Sequence, residues 1–389
     1  MRGWHGVGLV AGWQSMASVC FYAIFAATAF VRADFGLSRT LVGVTITVTM
    51  LGYTLLLFAM GAAVDGYGER RVMVGGLLVL AFGAVGIAVA PSYPLLLLSL
   101  LLVGGAYATA MPATNRAVLA VAPSGRRNLV MSIKQVGVTV GSGLGAVLVT
   151  WMAATRFGWR GGFLVAAAVA SVVALAFGHW YRGDGGNGSL GVPDVRSLLA
   201  RPGYRVLVAA GFFYGAAILT TTAYVVLYLT ESIGAAAGVA GTVLALVQVT
   251  GSVGRLGGGA LVDRLPTHDA RASAAVLFGQ SALGVACLAG VTAVDTDLVA
   301  VVGFATLGLF VFGIPATYYA CMTALVPEDR VGEATAGGQL TINAGGLAAP
   351  PAFGYLVDTA GYTSGWLTLA GGLAVAAALV GWLTLLTGD

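Results

Sequence analysis

The chain has 389 residues, of which 58% are hydrophobic and only 9% charged, with a mean hydropathy of +0.92; no water-soluble core of this size could hide so much apolar surface, so lipid is the solvent. The formal charge of +4 would suit nucleic acid, but the arginines sit singly or in pairs beside apolar runs, as topology signals do, and no nucleic-acid partner is implied. Cys20, Cys287 and Cys321 lie far apart within apolar runs, without disulfide or metal-ligand spacing, so no metal or other cofactor is implied.

A span needs about 20 mainly apolar residues. In chain order, spans are expected at roughly 8 to 30, 41 to 63, 72 to 90, 95 to 120, 129 to 153 and 161 to 181, then at 205 to 230, 238 to 262, 273 to 293, 298 to 325, 334 to 357 and 363 to 386. A β-barrel would show alternating segments of about 10 residues, whereas Val72 to Ala90 and Trp366 to Leu386 are apolar on every face. The first stretch, Val7 to Val31, is too long for a signal-peptide core and is expected to stay in the mature chain. Between the sixth and seventh spans, Arg182 to Tyr204 is rich in Gly, Asp, Asn and Pro and reads as a linker. The expectation is an all-α integral membrane protein of twelve transmembrane helices. An N-terminal six-helix bundle would cover 1–181, a cytoplasmic linker 182–204 and a C-terminal six-helix bundle 205–389. With the N-terminus inside, twelve arginines fall on the cytoplasmic side and only Arg32, Arg39, Arg156 and Arg160 outside, which places both termini of this multi-pass cell-membrane protein in the cytoplasm. The Arg-dominated, Ala-, Gly- and Val-rich composition suggests a prokaryotic source.

The two halves resemble each other. Gly61-x-x-x-Asp65 recurs as Gly259-x-x-x-Asp263, Pro112-Ala-Thr as Pro315-Ala-Thr, and Gln135 with Gly141 as Gln339 with Gly345, at offsets of 198, 203 and 204. Similar offsets in chain order indicate duplication, with two pseudo-symmetric six-helix bundles. The run Gly61-Ala-Ala-Val-Asp65-Gly-Tyr-Gly68-Glu69-Arg70-Arg71 resembles the loop signature of the major facilitator superfamily, Gly-x-x-x-Asp-x-x-Gly-Arg-Arg. Arg255-Leu-Gly-Gly-Gly259-Ala-Leu-Val-Asp263-Arg264 is similar to its second copy. Gly254-Arg255 and Gly158-Trp159-Arg160-Gly161 are further similar to segments of organic-anion porters of the oxalate:formate and monocarboxylate branches. The resemblance implies secondary transport by alternating access, with Asp65, Arg70, Arg71, Asp263 and Arg264 bracing the cytoplasmic helix ends as a conformational gate. Glu69 stands where the signature usually has Arg, a departure that leaves the strength of that brace open. A monomer is expected.

Large polar side chains inside spans are costly and face a cavity or another helix. They are scarce on every third helix: the third and twelfth spans carry none, the sixth only His179 near its end and the ninth only Gln280. Elsewhere, residues three, four or seven apart share a helical face and form stripes: Gln14 with Ser18, Gln135 with Thr139, Tyr214 with Thr221, Tyr224 and Tyr228, Gln248 with Ser252 and Arg255, and Gln339 with Asn343. Asn115, Tyr318 and Tyr319 add to the fourth and tenth spans. Any one stripe could be hydrogen bonding between helices; five on the expected lining helices point to a substrate path.

Charge is the sharper signal. Arg116, Lys134 and Arg255 lie within expected spans, and no Asp or Glu lies well inside one. A buried charge needs a counter-ion or polar partners, so an anionic substrate, in particular a carboxylate, is the expected partner. Arg255 precedes Asp263 by eight residues, or about 12 Å of helix, which puts it near mid-membrane. The resemblance implies that an Arg at this position binds the anion, and the alternative is a bond to helix carbonyls. Arg116 and Lys134, the only lysine, sit about 10 Å inside the cytoplasmic edge, as substrate ligands clamping with Arg255 or as members of a gate with Asp65, Glu69 or Glu333. Coupling would be symport, with a co-transported proton as one option, or exchange.

The competing readings are a proton-coupled exporter of drug-like molecules, which would use a membrane carboxylate, and a non-transporting sensor. An enzyme would need clustered His, Cys, Asp or Glu, whereas His5, His179 and His268 sit near span ends. No Gly-x-x-x-x-Gly-Lys loop for ATP-driven pumping is present. Replacing Arg255 by Gln is expected to abolish anion uptake by a protein that still folds; retained uptake would remove Arg255 from the site.

Overall fold

The structure, a computed structural model, describes residues 3–123, 126–183, 195–264, 270–293, 296–327 and 330–386; of Arg127, Asn128, Val195, Arg196 and Asp263 only the backbone is described. Of the linker expected over 182–204, residues 184–194 thus lie outside the described residues. The first half holds α1 (Trp4–Ala26), α2 (Thr28–Phe35), α3 (Arg39–Tyr67), α4 (Glu69–Val89), α5 (Tyr93–Tyr107), α6 (Ala110–Val121), α7 (Arg127–Met152) and α8 (Gly158–Trp180). After the short α9 (Val195–Leu198) come α10 (Pro202–Tyr228), α11 (Ala237–Arg264), α12 (Ala270–Gly290), α13 (Asp297–Val311), α14 (Ile314–Ala324) and α15 (Val331–Leu386).

Among the described residues, eleven helical stretches are long and apolar enough to cross a membrane. The last, 56 residues, contains two spans, because Gly361 breaks its helical backbone at φ 81° and ψ 169°. Unbroken, it would run about 84 Å, far more than the about 30 Å a bilayer core requires. Only glycine takes that positive φ without strain. The total is twelve spans, as expected, and large apolar side chains such as Phe82, Leu175, Leu256 and Leu385 point outward, as lipid demands.

The fourth and tenth spans are each broken. Turns at Ala108 and Thr109 separate α5 from α6, and turns at Phe312 and Gly313 separate α13 from α14. Pro112 and Pro315 follow these breaks by a few residues. A proline ring clashes with the carbonyl four residues back and removes one helix hydrogen bond, which explains both positions.

The chain forms two compact units. The first comprises Met1–Gly36, Val48–Gly191 and Ala236–Ala245, and the second Leu37–Thr47, Val192–Ala235 and Leu246–Asp389. Packing inside them repeats. In the first, α1 lies along α7 and α4 along α8; in the second, α10 and α12 both lie along α15. A Cβ on Gly141 of α7 would run into the Ser15 carbonyl oxygen of α1, and one on Gly345 of α15 into the Phe212 carbonyl oxygen of α10. Likewise Gly52 of α3 abuts the Leu101 carbonyl of α5, and Gly254 of α11 the Leu309 carbonyl of α13. The duplicated glycines thus permit backbone-to-backbone contact, the usual device for packing helices in lipid.

Gly345→Ala is therefore expected to destabilise the protein by about 1–3 kcal/mol through overpacking, read as a lower unfolding temperature in detergent. Gly257→Ala, where a Cβ meets nothing within 4 Å, should leave it unchanged. Equal behaviour of the two variants would contradict the role of the contact.

Candidate functional site

In the first unit the break before α6 sets a short helix beside α7. Lys134 of α7 is fully buried at 0% exposure. Its Nζ donates to Asn115 Oδ1 at 2.9 Å and Gln135 Oε1 at 2.9 Å, and lies 3.3 Å from Met111 Sδ. Among the described residues no ion pair reaches it. Three donors thus meet three neutral acceptors, which satisfies the hydrogen bonds but leaves the charge uncompensated. The rim of this cradle is open: Gln135 is exposed and Asn115 half-buried.

Arg116 differs: of the two readings open for it, substrate ligand or partner of Asp65, Glu69 or Glu333, its contacts are those of the second. Its guanidinium lies 3.2 Å from Asp65 Oδ1 and 3.1 Å from Glu69 Oε2. Glu69 is buried at 1% exposure and also accepts from the Tyr181 hydroxyl at 3.2 Å. It opens α4, where the partial positive charge of the helix N-terminus favours a carboxylate. The departure from the loop signature thus sets a buried acid against Arg116. Arg70 donates to the Gly178 carbonyl, near the end of α8, and Arg71 and Arg264 are exposed. The Asp263 side chain lies outside the described residues.

In the second unit, half-buried Arg255 donates from Nε to the Phe312 carbonyl at 3.0 Å. That carbonyl lies at the break between α13 and α14, where helix acceptors lose their usual partners. This bond to a helix carbonyl is the alternative weighed for Arg255.

Most striped residues bond to neighbouring helices. Gln14 is buried and donates to Ser18 and Tyr107 at 3.2 and 3.4 Å while accepting from Thr114 at 3.0 Å. Tyr214 shares a 2.9 Å bond with Ser281. The Tyr224 hydroxyl lies 2.6 Å from the Arg39 carbonyl and 2.9 Å from that of Pro350. Tyr318 is buried edge-on to Tyr214, and Gln248 is buried on α11. On α14 and α15, Tyr319 donates to Gln339 at 2.6 Å and Gln339 to Asn343 at 2.9 Å. The structure therefore gathers Lys134, Asn115 and Gln135 in one unit, and Tyr319, Gln339 and Asn343 in the other. The two clusters occupy corresponding helices of the repeat.

A further cluster escaped sequence reasoning. At the start of α3, Arg39 lies 2.8 Å from Glu231 and 3.5 Å from Asp358, with its guanidinium 5.3 Å from the Tyr362 ring centroid. Asp358 also accepts from the Thr40 amide at 2.9 Å and hydroxyl at 2.8 Å. These residues lie hundreds of positions apart with no common spacing, so only the fold reveals the group.

Arg116→Gln is expected to lower stability by about 3 kcal/mol, because it strands the buried Glu69 carboxylate, whereas Glu69→Gln leaves Arg116 paired with Asp65 and should cost less. The double variant should be no worse than Arg116→Gln alone. Additive losses in thermal unfolding would contradict the coupling.

The sequence matches the Major Facilitator Superfamily over residues 10–339. It is 24% identical over 379 residues to the hexuronate transporter of Bacillus subtilis (strain 168), covering 92% of this chain and 88% of that protein. It is 28% identical over 223 residues to the fosmidomycin resistance protein of Escherichia coli (strain K12), covering 54% of this chain and 53% of the other. Its fold is similar to that of a bacterial homolog of the human lysosomal transporter Spinster, with a TM-score of 0.84, 15% identity, and coverage of 98% of this chain and 96% of that one. A mutant of the nucleoside transporter NupG aligns with a TM-score of 0.81 at 12% identity, over 97% of this chain and 99% of that one. Twelve spans, a duplicated packing scheme and this match across most of the sequence lead to one conclusion: the chain belongs to the Major Facilitator Superfamily.

Proposed function

We propose that this superfamily member carries a small organic anion with a carboxylate group across the membrane by alternating access, as symport or exchange. The observation that carries the reading is Lys134: a fully buried ammonium held by two amide oxygens and a thioether, without an acid among the described residues. A charge so placed is stabilised by dipoles alone, and an arriving carboxylate supplies what the protein withholds. The exposed Gln135 amide marks the side from which it enters. The similarity to a hexuronate transporter supports a sugar acid as the substrate. Arg116, already paired with Asp65 and Glu69, is assigned to the cytoplasmic brace. Arg255 is retained as a second cation whose Nε is anchored on Phe312.

Export of a drug-like compound is the second reading, supported by the partial similarity to a fosmidomycin resistance protein. Direction separates the two. In proteoliposomes, the wild type is expected to accumulate labelled glucuronate. Lys134→Gln should lose at least about 99% of that flux, while Lys134→Arg keeps part of it, because the charge remains but the compact ammonium does not. Normal flux in a folded Lys134→Gln protein would refute the anion assignment.

A further inference from the structure

The second unit contains a relay that ends on an unused group. Tyr319 donates to Gln339 Oε1 at 2.6 Å, and Gln339 Nε2 donates to Asn343 Oδ1 at 2.9 Å. Asn343 is 2% exposed, and its Nδ2 has no hydrogen-bond partner. Turning that amide alone would set two NH2 groups against each other, so the open end is a consequence of the relay. Running the whole relay in reverse would leave an open carbonyl instead; in either sense one end of the Asn343 amide is unsatisfied. A buried polar group without a partner is costly. On α10, which lies along α15, the hydroxyls of Thr220 and Thr221 are also buried without a partner. The neighbouring Thr222 does bond back to Ile218, at 2.7 Å. A carboxylate only accepts hydrogen bonds, whereas a hydroxyl both donates and accepts and so completes an amide of either orientation.

From this we infer that the open amide of Asn343, oriented by Gln339 and Tyr319, binds a hydroxyl of the transported molecule, so that the substrate is a hydroxylated carboxylate in preference to a plain aliphatic acid. The inference rests on the reading of the chain as an organic-anion carrier and adds a specificity-determining residue to it. Gln339 and Tyr319 act through Asn343 as positioning residues. Removing a hydroxyl from the ligand, or the amide from the protein, should cost the same bond.

The test is ligand-induced thermal stabilisation of the purified full chain, titrated with glucuronate, galacturonate and gluconate, and with cyclohexanecarboxylate as a ring acid without hydroxyls. The wild type should respond to at least one hydroxylated acid at about tenfold lower concentration than to cyclohexanecarboxylate. Asn343→Ala should raise that concentration about tenfold and leave the cyclohexanecarboxylate titration unchanged. Asn343→Leu, which keeps the branched side-chain shape without the amide, should do the same if the smaller residue unfolds the protein. Lys134→Gln should lose both kinds of acid. Equal wild-type responses to all four acids, no response to any hydroxylated acid, or an Asn343→Ala effect shared by hydroxylated and plain acids would overturn the inference. In the last case the amide serves a buried water or the fold. Retained binding by Lys134→Gln would instead overturn the anion reading itself.

Discussion

A charge in hydrocarbon must find a partner, and that constraint sorts nearly every polar feature of this protein. Arg116 meets it with Asp65 and Glu69, Arg39 with Glu231 and Asp358, and Arg255 with at least a helix carbonyl. Arg160 bonds to Asp34 and to the carbonyls of Ala88 and Ala90, near the end of α4. Lys134 stands apart, with only neutral oxygens and a sulfur as the described partners of its amine. Among the described residues no acid pairs with it, which is the observation the proposed anion site rests on.

Duplication explains how such a site arises without loss of the fold. The elements that hold a unit together are the same in both copies: glycines at backbone crossings, and proline-associated breaks in the fourth and tenth spans. Polar side chains beside those breaks are free to diverge. Asn115 and Arg116 correspond in the repeat to Tyr318 and Tyr319, while Gln135 and Gln339 are kept. One copy thereby presents an ammonium and the other a neutral donor relay, on the same scaffold.

Span count, chain order and the repeat were legible in the sequence, because each depends on local composition and on spacing along the chain. The broken fourth and tenth spans could be anticipated from Pro112 and Pro315, since a proline acts on its own helix. Side-chain partners could not. Gln14 and Tyr214 carry the same stripe signal as Gln339, yet Gln14 is enclosed by Tyr107 and Thr114 and Tyr214 is tied to Ser281. Periodicity says which residues share a face, but the neighbour of that face is a matter of tertiary contact. Glu69 shows the same limit: among the acids open to Arg116 in the sequence, its 3.1 Å approach is settled by tertiary contact alone.

Lys134 is the only lysine in the chain, so its chemistry can be read in isolation. The most direct measurement is the rate at which an amine-reactive reagent modifies this one side chain, followed by mass spectrometry with glucuronate or with glucose present. The account predicts that glucuronate protects Lys134 at concentrations where glucose has no effect. Protection by both sugars alike, or by neither, would contradict the claim that an anion completes the site.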